Sequence, residues 1–280
     1  MDEIIKYMLT EDEGYGDITS NALINSDIVV EGFILSKDTG ILAGINIIKE
    51  IFEEYNVSIL SSLNNGDIIK PGDRLIEFKG LAKTILLIER TVLNLLMRMS
   101  GVATKTFNIV NEVHKINPNL KIAGTRKTSP ALQKFDKEAI IIGGGDPHRN
   151  GLDDMVLIKD NHIAIVGGVA EALKLAHCNV SFSKKIEIEV ENSDDAVIAA
   201  KNGGVQTCAL PILFDNMNPD EALKTLNILK NEGLRDNVLV ELSGGITEET
   251  ILNYASLDVD IISLGALTHS TRSLNFSLDI

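Results

Sequence analysis

Apolar residues change their period near residue 118. Before that point, residues 2–10 and 45–55 carry them at helical spacing, while 28–36 and 41–44 read as strands. Asn64-Asn65-Gly66-Asp67 and Pro71-Gly72-Asp73 are turn signals flanking short strands. Residues 81–117 repeat apolar positions every three and four, and Ser100-Gly101 is expected to break this stretch into two helices. After Pro118, apolar runs at 120–123, 155–158, 186–190, 210–214, 238–242 and 261–264 alternate with helical stretches. These include 169–177, 194–202, 219–231 and 248–255. Alternating βα units predict a parallel sheet. Six runs rather than eight, with no Gly-x-Gly-x-x-Gly turn, favour an incomplete α/β barrel over a dinucleotide-binding sheet. The expected fold is α/β. An N-terminal α+β sandwich domain covers 1–115 and an α/β barrel of about six strands covers 116–265, with 266–280 expected to return to the first domain.

Composition narrows the chemistry. The net charge is −14, so a duplex nucleic acid or an anionic membrane meets a repulsive average field. Trp is absent and aromatics are 4% of the chain, which leaves no stacking platform for single strands. The two cysteines, Cys178 and Cys208, are too few and isolated for a zinc site or a disulfide framework. No apolar run reaches the ~20 residues of a membrane span. The acidic start, Met1-Asp2-Glu3, lacks the character of a signal or transit peptide. The expected location is the cytoplasm, with no nucleic-acid or membrane partner.

Catalytic groups of parallel barrels gather at the C-terminal ends of the strands. Polar clusters follow each of the six runs here. Thr125, Arg126 and Lys127 follow the first and Lys159 the second. Glu189 ends the third run, and Asp215 follows the fourth. Ser243, Gly244 and Gly245 follow the fifth, and Gly265 with Ala266 follow the sixth. His148 and Arg149 come just after the glycine run 143–145. Singly, each has a plain reading: a solvated basic pair, a flexible turn, or a snorkelling lysine. Glu187, Glu189 and Glu191 alternate with apolar residues and read as the polar face of a half-exposed strand, although a carboxylate inside a barrel is costly unless paired. The turn 243–245 leading into a helix over 248–255 is a candidate phosphate site, through free N–H groups and the helix dipole. Together, several cations, two strand-end acids and two glycine-rich turns suit a multiply anionic substrate handled by positioning and electrostatics.

The ordered motifs resemble one family. They are Gly16-Asp17-Ile18-Thr19-Ser20, Glu89-Arg90-Thr91-x-Leu93-Asn94, Ser100-Gly101-Val102-Ala103-Thr104, Thr125-Arg126-Lys127-Thr128, Gly143-Gly144-Gly145-x-x-His148-Arg149, Ile158-Lys159-Asp160-Asn161-His162, Ser243-Gly244-Gly245-Ile246 and Gly265-Ala266-Leu267-Thr268-His269-Ser270. The set is similar to quinolinate phosphoribosyltransferase and runs nearly end to end. The resemblance implies conversion of quinolinate and phosphoribosyl pyrophosphate to nicotinate mononucleotide, pyrophosphate and CO2, with Mg2+, in NAD synthesis. It implies that Arg126, His148 and Arg149 grip the two ring carboxylates, and that Lys127 and Lys159 contact quinolinate or the donor. Glu189 and Asp215 would face the ribose and metal-bound pyrophosphate. Ser243, Gly244, Gly245, Gly265 and Ala266 would hold the 5′-phosphate. It also implies a homodimer or higher assembly, with Arg90 entering the partner's site.

Two departures stand out. Ala131 and Gln133 occupy positions where the family commonly has Gly and Arg. By the same resemblance, residues 204–212 make the stretch from Glu189 to Asp215 longer than the family pattern by about five residues, and they place Pro211 in an expected strand. Residues 205–212 read as a cloning or sequencing artefact. If they belong to the protein, a loop bulging before a shortened 212–214 strand and a misplaced Asp215 are expected. Two other readings stay open: a paralogue of the molybdenum-transport-associated type acting on another carboxylated ring, and a non-catalytic phosphate-binding barrel. Lys159-Asp160-Asn161-His162 weighs against the first, and the conjunction of Arg90, Glu189 and Asp215 with the basic cluster against the second.

Overall fold

The computed structural model of the protein describes residues 1–203 and 210–280. Met1–Phe107, Ser129–Gly144 and Ser270–Ile280 form one compact unit, and Asn108–Thr128 with Gly145–His269 form the other. The chain begins with helices α1 (Glu3–Glu13) and α2 (Ile18–Leu23), capped by the Asp2 and Asp17 carboxylates. Strands β1 (Val29–Ser36) and β2 (Gly40–Ile41) follow, then helix α3 (Ile45–Glu54), β3 (Ser58–Ser62), β4 (Ile68–Ile69), β5 (Arg74–Leu81) and α4 (Ala82–His114). Next come β6 (Lys121–Ala123), α5 (Gln133–Ile142), β7 (Val156–Ile158), α6 (Asp160–Val166), α7 (Val169–Asn179), β8 (Ile186–Val190) and α8 (Ser193–Asn202). The last elements are β9 (Leu210–Asp215), α9 (Pro219–Asn231), β10 (Val238–Ser243), β11 (Ile261–Ser263), α10 (Ala266–His269) and β12 (Phe276–Asp279).

In the first unit an antiparallel sheet has the order β12-β1-β5-β3, and β2 pairs separately with β4. The C-terminal strand lies against β1, with Phe33 opposite Asp279. The expected break at Ser100-Gly101 does not occur, because α4 is continuous through both residues. Their small size serves packing instead. The buried Ser100 hydroxyl accepts from Ala43 N–H at 3.0 Å, and Gly101 lies against the backbone of Arg272. A helical glycine costs only about 1 kcal/mol relative to alanine, which tertiary contacts override.

The second unit holds a parallel sheet in the order β6-β11-β10-β9-β8-β7. β6 and β7 are its edges, and among the described residues no ladder joins them, so the barrel stays open. Buried Ile188 on β8, Ile212 and Phe214 on β9, and Val240 and Leu242 on β10 supply an apolar core. Helix α8 adds Ala196 and Ala199, and α9 adds Ala222, Leu226 and Leu229.

The helix expected over 248–255 is absent; a short 3-10 turn, Ile251–Asn253, stands there. Thr247 N–H donates to the Thr250 hydroxyl at 2.9 Å, one of the local side-chain bonds that compete with a helix. Residues 204–209 lie outside the described residues. From Leu210 onward the strand is not shortened. Leu210 and Pro211 stand opposite Val238 and Leu239, and Asp215 opposite Ser243. Pairing to β8 begins at Ile212, so Pro211 precedes the doubly paired stretch in which its missing N–H would break a ladder. The expected displacement of Asp215 is therefore not seen.

Candidate active site

Alternation along parallel strands decides which side chains meet. Leu213 stands opposite Glu189 on one side and Glu241 on the other. Asp215 and Ser243 follow two residues later on the same face. Glu189, Leu213, Asp215, Glu241 and Ser243 accordingly line one cavity of about 410 Å³. The loops at the C-terminal strand ends complete it with Thr125, Arg126, Lys127, His148, Arg149, Lys159, Gly244 and Gly245. Gly124, Asn216 and Ser263 line it as well, and sequence reasoning had not assigned them to the site.

The cations are held in different ways. The Thr125 hydroxyl accepts from Lys127 N–H at 3.1 Å, and the Thr268 hydroxyl donates to the Lys127 carbonyl at 2.8 Å. A Cβ added at Gly265 would lie 2.9 Å from Lys127 Cδ. Gly265 therefore meets the site through the lysine it packs on; neither it nor Ala266 is part of the cavity wall. Lys159 follows β7 and donates to Glu189 Oε2 at 2.5 Å. Arg149 is 9% exposed. Burial lowers the pKa of its guanidinium, and the nearby positive charge of Arg126 lowers it further. Two guanidinium groups facing one cavity call for an anion that carries more than one charge. Arg90 belongs to the other unit, where it stands on α4 and lines a separate cavity of about 490 Å³.

The turn after β10 presents Gly244 at φ 85° and Gly245 at φ 63°. A Cβ at Gly244 would sit 2.7 Å from the backbone nitrogen of Asn216, whereas one at Gly245 would meet open space. Asn216 N–H donates to the Ser243 carbonyl at 2.9 Å, which ties the ends of β9 and β10 together. With only a short 3-10 turn following, an anion at this turn would have to be held by the turn's own backbone amides.

Beneath the cations lie two acids that sequence reasoning missed or misread. Glu187, read above as the polar face of a half-exposed strand, is 1% exposed, as is Glu241. Burial pushes the Glu187 carboxyl up to about 9, and the negative charge of Glu241 adds to the shift. His148 Nε2 lies 3.1 Å from Glu241 Oε2 and 3.6 Å from Glu187 Oε2. The signal for Glu241 was present in Val238-Leu239-Val240-Glu241-Leu242, a lone acid inside an apolar run.

Known proteins match along the whole chain. The family model of the quinolinate phosphoribosyl transferase N-terminal domain matches residues 17–100, and that of the C-terminal domain matches 102–279. The chain belongs to the quinolinate phosphoribosyltransferase family. Within it, a probable nicotinate-nucleotide pyrophosphorylase (carboxylating) of Methanothermobacter thermautotrophicus is 45% identical over 280 residues, covering 100% of this chain and 99% of that protein. Its Bacillus subtilis counterpart is 38% identical, covering 99% and 92%. The crystal structure of NadC from Streptococcus pyogenes superposes with a TM-score of 0.89 at 32% identity, covering 100% of this chain and 95% of that one.

Proposed function

We infer that this chain is a quinolinate phosphoribosyltransferase of NAD biosynthesis. It joins quinolinate to phosphoribosyl pyrophosphate and releases nicotinate mononucleotide, pyrophosphate and CO2. The observation that carries this reading is the single cavity in which Arg126, Lys127, Arg149 and Lys159 face Glu189, Asp215 and the 243–245 turn. The guanidinium groups suit planar carboxylates, and the turn suits a phosphate.

The ring nitrogen of quinolinate attacks the anomeric carbon as the bond to pyrophosphate breaks, through an oxocarbenium-like ribose. The carboxylate next to that nitrogen then leaves as CO2, its electron pair taken up by the pyridinium ring, and a proton replaces it. Arg126 and Arg149 would hold the ring dicarboxylate. Lys127 and Lys159 would balance the charge of the two substrates. Glu189 and Asp215 are hard oxygen donors lining the same cavity, which fits Mg2+ shared with pyrophosphate. When bound, that ion would neutralise the departing pyrophosphate. Gly244 and Gly245 would offer backbone amides to the 5′-phosphate.

The same reading makes the active form a homodimer in which Arg90 reaches the partner's site, and it places the reaction in the cytoplasm. No helix among the described residues is long and apolar enough to cross a membrane. The test is purified protein with quinolinate, phosphoribosyl pyrophosphate and Mg2+, read by release of CO2 and pyrophosphate. A folded dimer that releases neither would overturn the assignment.

A further inference from the structure

His148 stands at φ 55°, a conformation that non-glycine residues adopt only when their surroundings enforce it. Three bonds do so. Asp146 is docked on β6, donating its N–H to the Ile122 carbonyl and accepting from Gly124 N–H, both at 2.8 Å. The Asp146 carboxylate accepts from His148 N–H at 2.7 Å. Arg149 N–H then donates to His148 Nδ1 at 2.8 Å. A ring nitrogen that accepts carries no proton, so the neutral imidazole is protonated at Nε2. That N–H points at Glu241 Oε2, 3.1 Å away. Both ring nitrogens are thus engaged inside the protein, which does not suit a direct grip on a substrate carboxylate.

We propose that Glu241 is a positioning residue for dicarboxylate binding: through His148 it fixes the 146–149 loop from which Arg149 enters the cavity. Glu241 sits on β10, which is paired on both sides, by β9 and β11. The acceptor therefore belongs to an interior strand of the sheet, and the loop bears on it through the imidazole. Arg149 takes its backbone position from the same ring, and its guanidinium lies 3.4 Å from the Met155 carbonyl. The identity of the dicarboxylate rests on the function proposed above, whereas the strut itself does not.

Glu241→Ala removes the acceptor, while Glu241→Gln retains a carbonyl oxygen able to accept from Nε2–H. The alanine variant is expected to raise KM for quinolinate about tenfold, the loss of one charge-assisted bond. KM for phosphoribosyl pyrophosphate and kcat should stay within about twofold. The glutamine variant should recover most of the quinolinate affinity. In a His148→Ala background, Glu241→Ala should add less than about twofold, since coupled residues are not additive. An unchanged quinolinate KM, an equal rise for both substrates, or full additivity would overturn the proposal. A second readout needs no turnover and no variant. Nitrogen-15 spectra of the histidine-labelled wild-type protein at neutral pH should show His148 bare at Nδ1 and protonated at Nε2. The opposite tautomer or an imidazolium would sink the strut even in an active enzyme. A wild-type protein that shows the expected tautomer but no turnover would leave the strut standing and remove the quinolinate reading.

Discussion

Ala131 is the clearest case of a residue working against its backbone. It stands at φ 65°, at a position where the sequence resemblance leads one to expect glycine. An L-residue with a Cβ pays roughly 1 kcal/mol or more for that conformation. Ala131→Gly should therefore raise stability by about 1 kcal/mol, visible as a higher midpoint in thermal unfolding; a lower midpoint would show that the turn is not strained. Glu187 makes a second prediction at this scale. Its folded value, about 9, lies above the ordinary 4.5, so folding favours the protonated form. That contribution is complete below the ordinary value and is lost as pH rises through about 9. The melting temperature of the wild-type protein should fall across this window, and Glu187→Gln, which stays neutral, should flatten the slope. Parallel melting curves for the two proteins would remove Glu187 as the cause.

At the scale of elements, the β10 turn and β9 carry the predictions. Gly244→Ala forces a Cβ onto Asn216, next to Asp215, whereas Gly245→Ala meets only open space and the cost of positive φ. The first should raise KM for phosphoribosyl pyrophosphate by more than about tenfold, as expected for a misplaced first contact. The second should have a smaller effect, and steady-state kinetics on both variants ranks them. The strand itself explains why Pro211 is tolerated. It sits at the second residue of β9, ahead of the pairing with β8, so Asp215 keeps its register. The sequence reading of 205–212 as an artefact is checked by resequencing the native gene, which should return a shorter stretch between α8 and Asp215. An identical read would reject that view.

At the scale of the whole molecule, the proposal to test is that two subunits share their active sites through Arg90. Arg90→Ala and Arg126→Ala are each expected to lose quinolinate binding in calorimetry while keeping their fold, because on the proposed reading each would remove one guanidinium from the same ligand. If Arg90 acts in the partner's site, dissociating and mixing the two variants should restore part of the activity. Each hybrid dimer would then contain one site with both arginines. Mixed protein no more active than either variant alone would place the two arginines in the same subunit's site, or Arg90 outside it.

The chain pattern alone carried the alternating strands and helices after residue 118, because a strand buried in a parallel sheet must be apolar and its covering helix amphipathic. It also carried the placing of Arg126, Lys127, Lys159, Glu189 and Asp215 around one cavity, because parallel strands bring their C-terminal ends to the same side. What it missed depended on contacts between residues distant in sequence. Ser100-Gly101 looked like a helix break until its neighbours, Ala43 and Arg272, were in place. The helix after Gly245 was lost to local threonine bonds that periodicity does not register. Glu187 and Glu241 stand 54 positions apart in the sequence, and only the sheet brings both carboxylates to His148. Periodicity reports which way a side chain faces along its own strand; which charged group it meets there is decided by strand order and register, through hydrogen bonds between backbones far apart in the chain.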